Sequence, residues 1–198
     1  MSERTRIIRC QVLSCTAKPE VDKGWFYYQD GVLWIEEGII KLVGAYADVK
    51  HLLPSSMPIE HYSDQLLVPG FIDMHVHYPQ MEMIASYGEQ LLDWLNRYTF
   101  PVEQKYTDFD YASQHAKRFL SQLITHGTTT ALVFATSSKQ SVDAFFEQAL
   151  HTNMRMVSGK VLMDRHAPSG LCDSPQLAYD HSSALINKWR DTGRLGYA

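Results

Sequence analysis

The sequence predicts an α/β fold in which a β-rich opening segment precedes parallel strands joined by helices. Three observations predict it. Residues 6–66 hold short apolar or alternating runs cut by single glycines; the character changes at Val68-Pro69-Gly70; and strand-like runs then alternate with helical periodicity. The resulting order, β-α-β-α-β-α-β, argues for parallel strands with right-handed crossovers.

In the opening segment, "IIRCQVLSC", "GWFYYQDGVLWIEEG" and "GIIKLVGAYADV" read as β-structure. Asp30-Gly31 can supply the positive φ angles of a tight turn, so "QDGVLW" predicts a hairpin. These strands are few for a closed core, and residues 1–66 are read as the N-terminal part of a small β-sandwich. Residues 67–198 form the second expected domain. There "GFIDMHVH" is the first strand. Phe109, Ala112, Ala116, Phe119 and Leu123 recur at spacings of three and four, one face of a helix starting near Thr107 and stopped by Gly127. "TTTALVFAT" is a β-branched buried run. Val142, Phe145, Phe146, Ala149 and Leu150 mark a second amphipathic helix, and "MRMVSGKVLMD" a third strand. A helix around residues 175–190 and a strand beginning in "RLGYA" complete the order. A (β/α)8 barrel takes ~250 residues, roughly twice the length of chain after Gly70. The pattern therefore fits an open sheet or part of a longer protein.

Composition excludes several function classes. Of 198 residues, 45% are hydrophobic and 12% aromatic, enough for a real core. The net charge is −4 and the lysines and arginines form no stripe, which argues against a nucleic-acid partner. Cys10, Cys15 and Cys172 show no C-x-x-C spacing and read as free thiols in a reducing compartment. "MSERTRIIRC" lacks the apolar run of a signal peptide, and no stretch reaches the ~20 apolar residues of a membrane span. The expectation is a cytoplasmic protein with no membrane partner.

The chemistry concentrates in "LVPGFIDMHVHYPQ", residues 67–80. Alternate side chains of a strand point to the same side, so Asp73, His75 and His77 share one face and Ile72, Met74 and Val76 the other. Two imidazoles about 7 Å apart along such a strand can converge on one cation. Zinc takes neutral imidazole nitrogen at about 2.0–2.1 Å. Asp73 is placed to orient a ligand or brace the strand. A catalytic zinc needs at least three protein ligands and an open position, so His75 and His77 are half a site. Among the other histidines, His115 and His126 belong to the helix pattern and its C-terminus, and His51, His61, His151 and His181 read as surface residues. Only His166, in "LMDRHAPSGL", falls on the same rim.

These residues also carry a resemblance. "VPGFIDMHVH" resembles the opening barrel strand of the amidohydrolase superfamily, metal-dependent hydrolases on a (β/α)8 TIM barrel with a small β-sandwich. Within it, "HVHYPQ", "LLDWLNRYTFPVE", "THGTTTALVFAT" and "GKVLMD" are similar to the guanine deaminases. The resemblance runs through essentially the whole chain, most strongly from Val68 to Asp164. It implies hydrolysis of guanine to xanthine and ammonia with one zinc ion as cofactor. His75 and His77 match metal ligands; His77, Tyr78, Pro79 and Gln80 match the substrate-contacting turn, with Gln80 facing the base's amide edge. Trp94 could add an apolar wall for a planar purine. The resemblance further implies that the remaining ligands, the acid/base glutamate and the end of the sandwich come from later sequence. On this reading the chain is the inactive N-terminal half of an enzyme that forms a homodimer when complete.

Three rivals use the same residues. Another amidohydrolase acting on an aminated heterocycle such as a triazine or pterin would share the H-x-H. A ring-opening amidase commonly pairs two metals with a carboxylated lysine, for which Lys160 is the nearby candidate. A non-catalytic binding or assembly module would retain the first barrel strands without chemistry.

Overall fold

A computed structural model describes residues 5–15, 24–88 and 90–198. The chain divides into two compact units, Met1–Pro69 and Gly70–Ala198.

The first unit is one four-stranded sheet. Its strands are β1 (Thr5–Cys15), β2 (Trp25–Glu36), β3 (Ile39–Ala45) and β4 (Ile59–Leu67), in the order β3-β2-β1-β4. β1 pairs antiparallel with β2 and parallel with β4. Ile8, Cys10 and Val12 alternate along β1 as its buried face, with Phe26, Tyr28, Ile35, Val43 and Leu67 packed around them. The hairpin is displaced from the expected place. β2 runs straight through Asp30 and Gly31, where the register with β1 shifts between Cys10 and Val12. Gly31 serves close approach here rather than a turn: a Cβ on it would lie 2.6 Å from Val12 Cγ2. Asp30 is occupied by a two-pronged ion pair with Arg9, at 2.7 Å for each bond. The tight turn falls instead on Glu37 and Gly38, both with positive φ (51° and 76°), as a two-residue hairpin loop requires.

The second unit is a parallel sheet with helices against it. The strands β5 (Phe71–His77), β6 (Thr128–Phe134), β7 (Arg155–Gly159) and β8 (Gly196–Tyr197) lie in that order, each pair parallel. The crossovers carry helices α1 (Phe109–Thr125), α2 (Lys139–Thr152) and α3 (Pro175–Trp189). Each start has a local cause. The Asp108 carboxylate caps α1 by accepting from the Tyr111 amide, and Ser174 caps α3 ahead of Pro175. Asn153 ends α2 in the left-handed region, a conformation asparagine tolerates. Most of each apolar stripe read from the sequence enters the core: Ala112, Ala116, Phe119, Val142, Phe145, Phe146 and Ala149 are buried, whereas Leu123 is partly buried and Phe109 and Leu150, at the helix ends, are exposed. Asp143 joins α2 to α3 by accepting from Lys139, Lys188 and the Trp189 indole. Between β5 and α1 the chain makes a series of short turns. These include Tyr78–Met83, a helical stretch from Leu91 through Glu103, and Gln104–Thr107.

Candidate metal centre

Both histidines sit at the C-terminal end of β5, the end of a parallel strand where barrel enzymes carry their chemistry. Their Nε2 atoms converge to 3.2 Å. Two nitrogens held about 2.05 Å from one tetrahedral cation stand about 3.3 Å apart, so the pair has the spacing of two zinc ligands. Local structure produces this convergence. Asp73 Oδ1 accepts the His75 amide at 3.0 Å, which takes His75 out of the ladder, and the β5–β6 register shifts between Asp73 and Val76. Asp73 therefore braces the strand, one of its two expected roles. Phe134, at the end of β6, lies 4.7 Å from both imidazole centroids and is nearly parallel to His77, at 15°. Burial first, and then the neighbouring His75, lowers the His77 pKa and favours the neutral imidazole that a metal needs.

Gln80 follows in the turn Tyr78–Met83, with its amide nitrogen 3.3 Å from His77 Nδ1. Asp73, His75, His77, Gln80 and Trp94 line one cavity. Trp94 is half-buried, its indole donating to the Ser86 carbonyl at 3.1 Å. Tyr78 and Pro79 do not line the cavity; both are buried. The Tyr78 ring turns into the core, stacked on Phe145 and edge-on to Tyr106, and its hydroxyl donates to the Ser141 carbonyl at 2.7 Å. Its part is to fasten the turn, because an aromatic ring of this size is stabilised by burial and its hydroxyl finds a partner there. Pro79 contributes its carbonyl, which accepts from the Tyr106 hydroxyl.

Phe134, Glu103 and Glu82 carried no assigned role in the sequence. Glu103, in the helical turn Phe100–Glu103, is 7% exposed. Burial pushes its carboxyl up to about 7, against the downward pull of a hydrogen bond from Gln80. Glu82 accepts from Tyr111 at 2.7 Å and Lys105 at 3.2 Å, and lies 3.1 Å from the buried His115. Phe134 and Glu103 both fall within segments whose patterns stand out in the sequence, but the pairing of distant chain positions leaves no local signal.

Within the second unit, His126 lines the same cavity from the end of α1, where its ring bonds the Gln122 carbonyl, and His166 is exposed with positive φ. Lys160 is buried and paired with Asp173, which commits its ammonium group and removes it as a candidate for a carboxylated ligand. Among the described residues no group of three or more His, Cys, Asp or Glu side chains could hold a metal ion. No helix among them is long and apolar enough to cross a membrane.

A sequence-family model described as "Amidohydrolase family" matches residues 66–193. The chain belongs to the amidohydrolase family. Among curated relatives of this amidohydrolase chain, guanine deaminase of Escherichia coli (strain K12) is 48% identical over 179 residues, covering 90% of this chain and 41% of that protein. The solved structure of guanine deaminase from Bradyrhizobium japonicum matches with a TM-score of 0.92 at 38% identity, covering 98% of this chain and 43% of that one. Guanine deaminase from C. acetobutylicum, solved with guanine bound in its active site, matches at 0.83 and 27% identity, over 98% and 45%. An adenosine deaminase from Xanthomonas campestris, solved with bound zinc, shares the fold at 17% identity and a TM-score of 0.70. The chain thus spans less than half the length of the curated relatives it matches. The fold class read from the sequence, the first part of a (β/α)8 barrel, agrees with this amidohydrolase family and its neighbours.

Proposed function

We propose that this chain supplies the first two metal ligands and a base-contacting amide to a zinc-dependent guanine deaminase. The observation that carries the reading is the 3.2 Å approach of His75 Nε2 to His77 Nε2 beside a cavity. His75 and His77 hold the ion; Gln80 meets the amide edge of guanine, and Trp94 walls the planar ring. When bound, zinc supplies the acidity that makes water nucleophilic near neutral pH. A closed catalytic site takes at least three protein ligands. The activity therefore belongs to a polypeptide carrying this chain and further barrel strands, including the carboxylate that moves the proton. The resemblance to guanine deaminases supports a homodimer for that polypeptide. The free cysteines support a reducing, cytoplasmic location.

The test is made on the full-length polypeptide. Ammonia release is measured from guanine, adenine and cytosine, and zinc content is measured for His75→Ala and His77→Ala. Guanine is the expected substrate, and each substitution should abolish turnover and lower zinc. Full zinc stoichiometry in both variants, or preference for another base, overturns the reading.

A further inference from the structure

We infer that Glu82 is a positioning residue for the base: its carboxylate clamps the turn Tyr78–Met83 to α1 and so sets where Gln80 stands at the cavity wall. The inference rests on the proposed role of Gln80 and adds what holds that residue in place.

The backbone of Tyr78–Met83 winds as a 3₁₀ turn. Such turns have poorer hydrogen-bond geometry than an α-helix, so side chains must fasten this one. Gln80, Met81 and Met83 line the cavity, whereas Glu82 does not. Its side chain reaches α1 instead, and three donors meet its carboxylate. The Tyr111 hydroxyl donates to Oε1 at 2.7 Å, His115 Nε2 lies 3.1 Å from the same oxygen, and the Lys105 ammonium donates to Oε2 at 3.2 Å. An ionised carboxylate accepts only, so His115 carries a proton on Nε2. Hydrogen bonds to an ionised acceptor are roughly twice as strong as neutral ones.

The donors are themselves fixed. Tyr111 and His115 are four residues apart on α1 and therefore neighbours on one face, with ring centroids 4.3 Å apart. His115 is buried, and Tyr106 meets the Tyr111 ring edge-on. The turn is thus tied on both sides of Gln80. Before it, the Tyr78 hydroxyl and the Pro79 carbonyl are bonded within the core. After it, Glu82 is bonded to α1, with a weaker contact from the Thr99 hydroxyl to the Met83 sulfur. The two ties differ in kind. The first is a fully buried ring, whose loss would open the core. The second is polar and its side chain is 32% exposed, so it can be removed with the core intact. Without it Gln80, two residues away, is free to shift along the wall, and a displacement of about 1 Å is enough to spoil a substrate contact.

The experiment is a double-substitution cycle in the full-length, zinc-loaded enzyme. Glu82→Ala, Gln80→Ala and the double variant are compared for guanine KM and kcat, for zinc content, and for the Kd of the unreactive product xanthine by calorimetry. Glu82→Ala should weaken Kd and raise KM about tenfold, the size of one polar contact, with kcat and zinc content little changed. In the Gln80→Ala background the same substitution should add nothing, because coupled residues are non-additive. Glu82→Gln, whose carbonyl oxygen can take both bonds of Oε1, should bring Kd back to within about threefold of wild type. Four results overturn the inference and leave the reading of Gln80 standing: an unchanged Kd in Glu82→Ala where Gln80→Ala weakens it, effects that multiply, a Glu82→Gln as weak as Glu82→Ala, or loss of zinc. An unchanged Kd in Gln80→Ala overturns that reading and the inference with it. Should Glu82→Ala fail to fold, Tyr111→Phe removes one donor to Oε1 and carries the same cycle.

Discussion

Phe134 lies against the His77 imidazole with centroids 4.7 Å apart and planes 15° apart, and it stands equally close to His75. One aromatic face thus restrains both rings from the neighbouring strand. Phe134→Ala should weaken zinc binding by about tenfold, the range seen when a group orienting a metal ligand is lost. Chelator competition on the full-length protein measures this. Wild-type affinity in the variant would show that β5 alone aims the rings.

Tyr78 is fully buried, and its hydroxyl donates to the Ser141 carbonyl. Tyr78→Phe removes the donor while the Ser141 carbonyl keeps its place within α2, at a cost of about 0.5–1.5 kcal/mol. Urea unfolding should show a lower midpoint with an unchanged slope. A midpoint equal to wild type would mean that the hydroxyl contact adds nothing to the burial of the ring.

The Lys160 and Asp173 side chains are 0% and 9% exposed. Lys160→Met alone strands a buried carboxylate and should cost about 3–5 kcal/mol. Adding Asp173→Leu should recover most of that loss, since the pair can be replaced together by apolar groups. A double variant as unstable as the single would assign the loss to packing rather than charge.

Glu103 gives a pH signature. Its folded value of about 7 lies above the ordinary 4.5, so between these values the folded state binds more protons than the unfolded state. Stability contributed by this group therefore falls as pH rises from about 4.5 to 7, by an amount on the order of 3 kcal/mol, and is level above that. His77 and His115, lowered by burial, act in the opposite direction. They are common to both proteins when wild type is compared with Glu103→Gln. The difference in unfolding free energy between the two should shift in favour of the variant from pH 4.5 to pH 8; a difference independent of pH refutes the assignment.

How much of this was legible depended on the range of the interaction. The β-α order was readable because apolar spacing along α1 and α2 directly sets which side chains are buried. The H-x-H face was readable because strand alternation is local. Asp30-Gly31 misled because the same dipeptide serves a tight turn and a close strand approach, and only Val12, far off in sequence, decides between them. Tyr78 was legible as part of the turn, but its direction depends on the space left beside Phe145. Phe134 gains its contact with both imidazoles, and Glu103 its burial, from other elements of the fold, information that no single window of sequence contains.

Tyr78 sits one residue from His77 and two from Gln80, and its anchor, Ser141, also holds the Thr136 amide and hydroxyl at the head of α2. The turn at the cavity thus shares its foundation with the interior of the second unit. Ion occupancy becomes a gauge of how firmly that interior is set. Variants selected only for heat tolerance at Ser141 or Thr136 should drift in metal content, and loading with the ion should in turn raise their melting temperature.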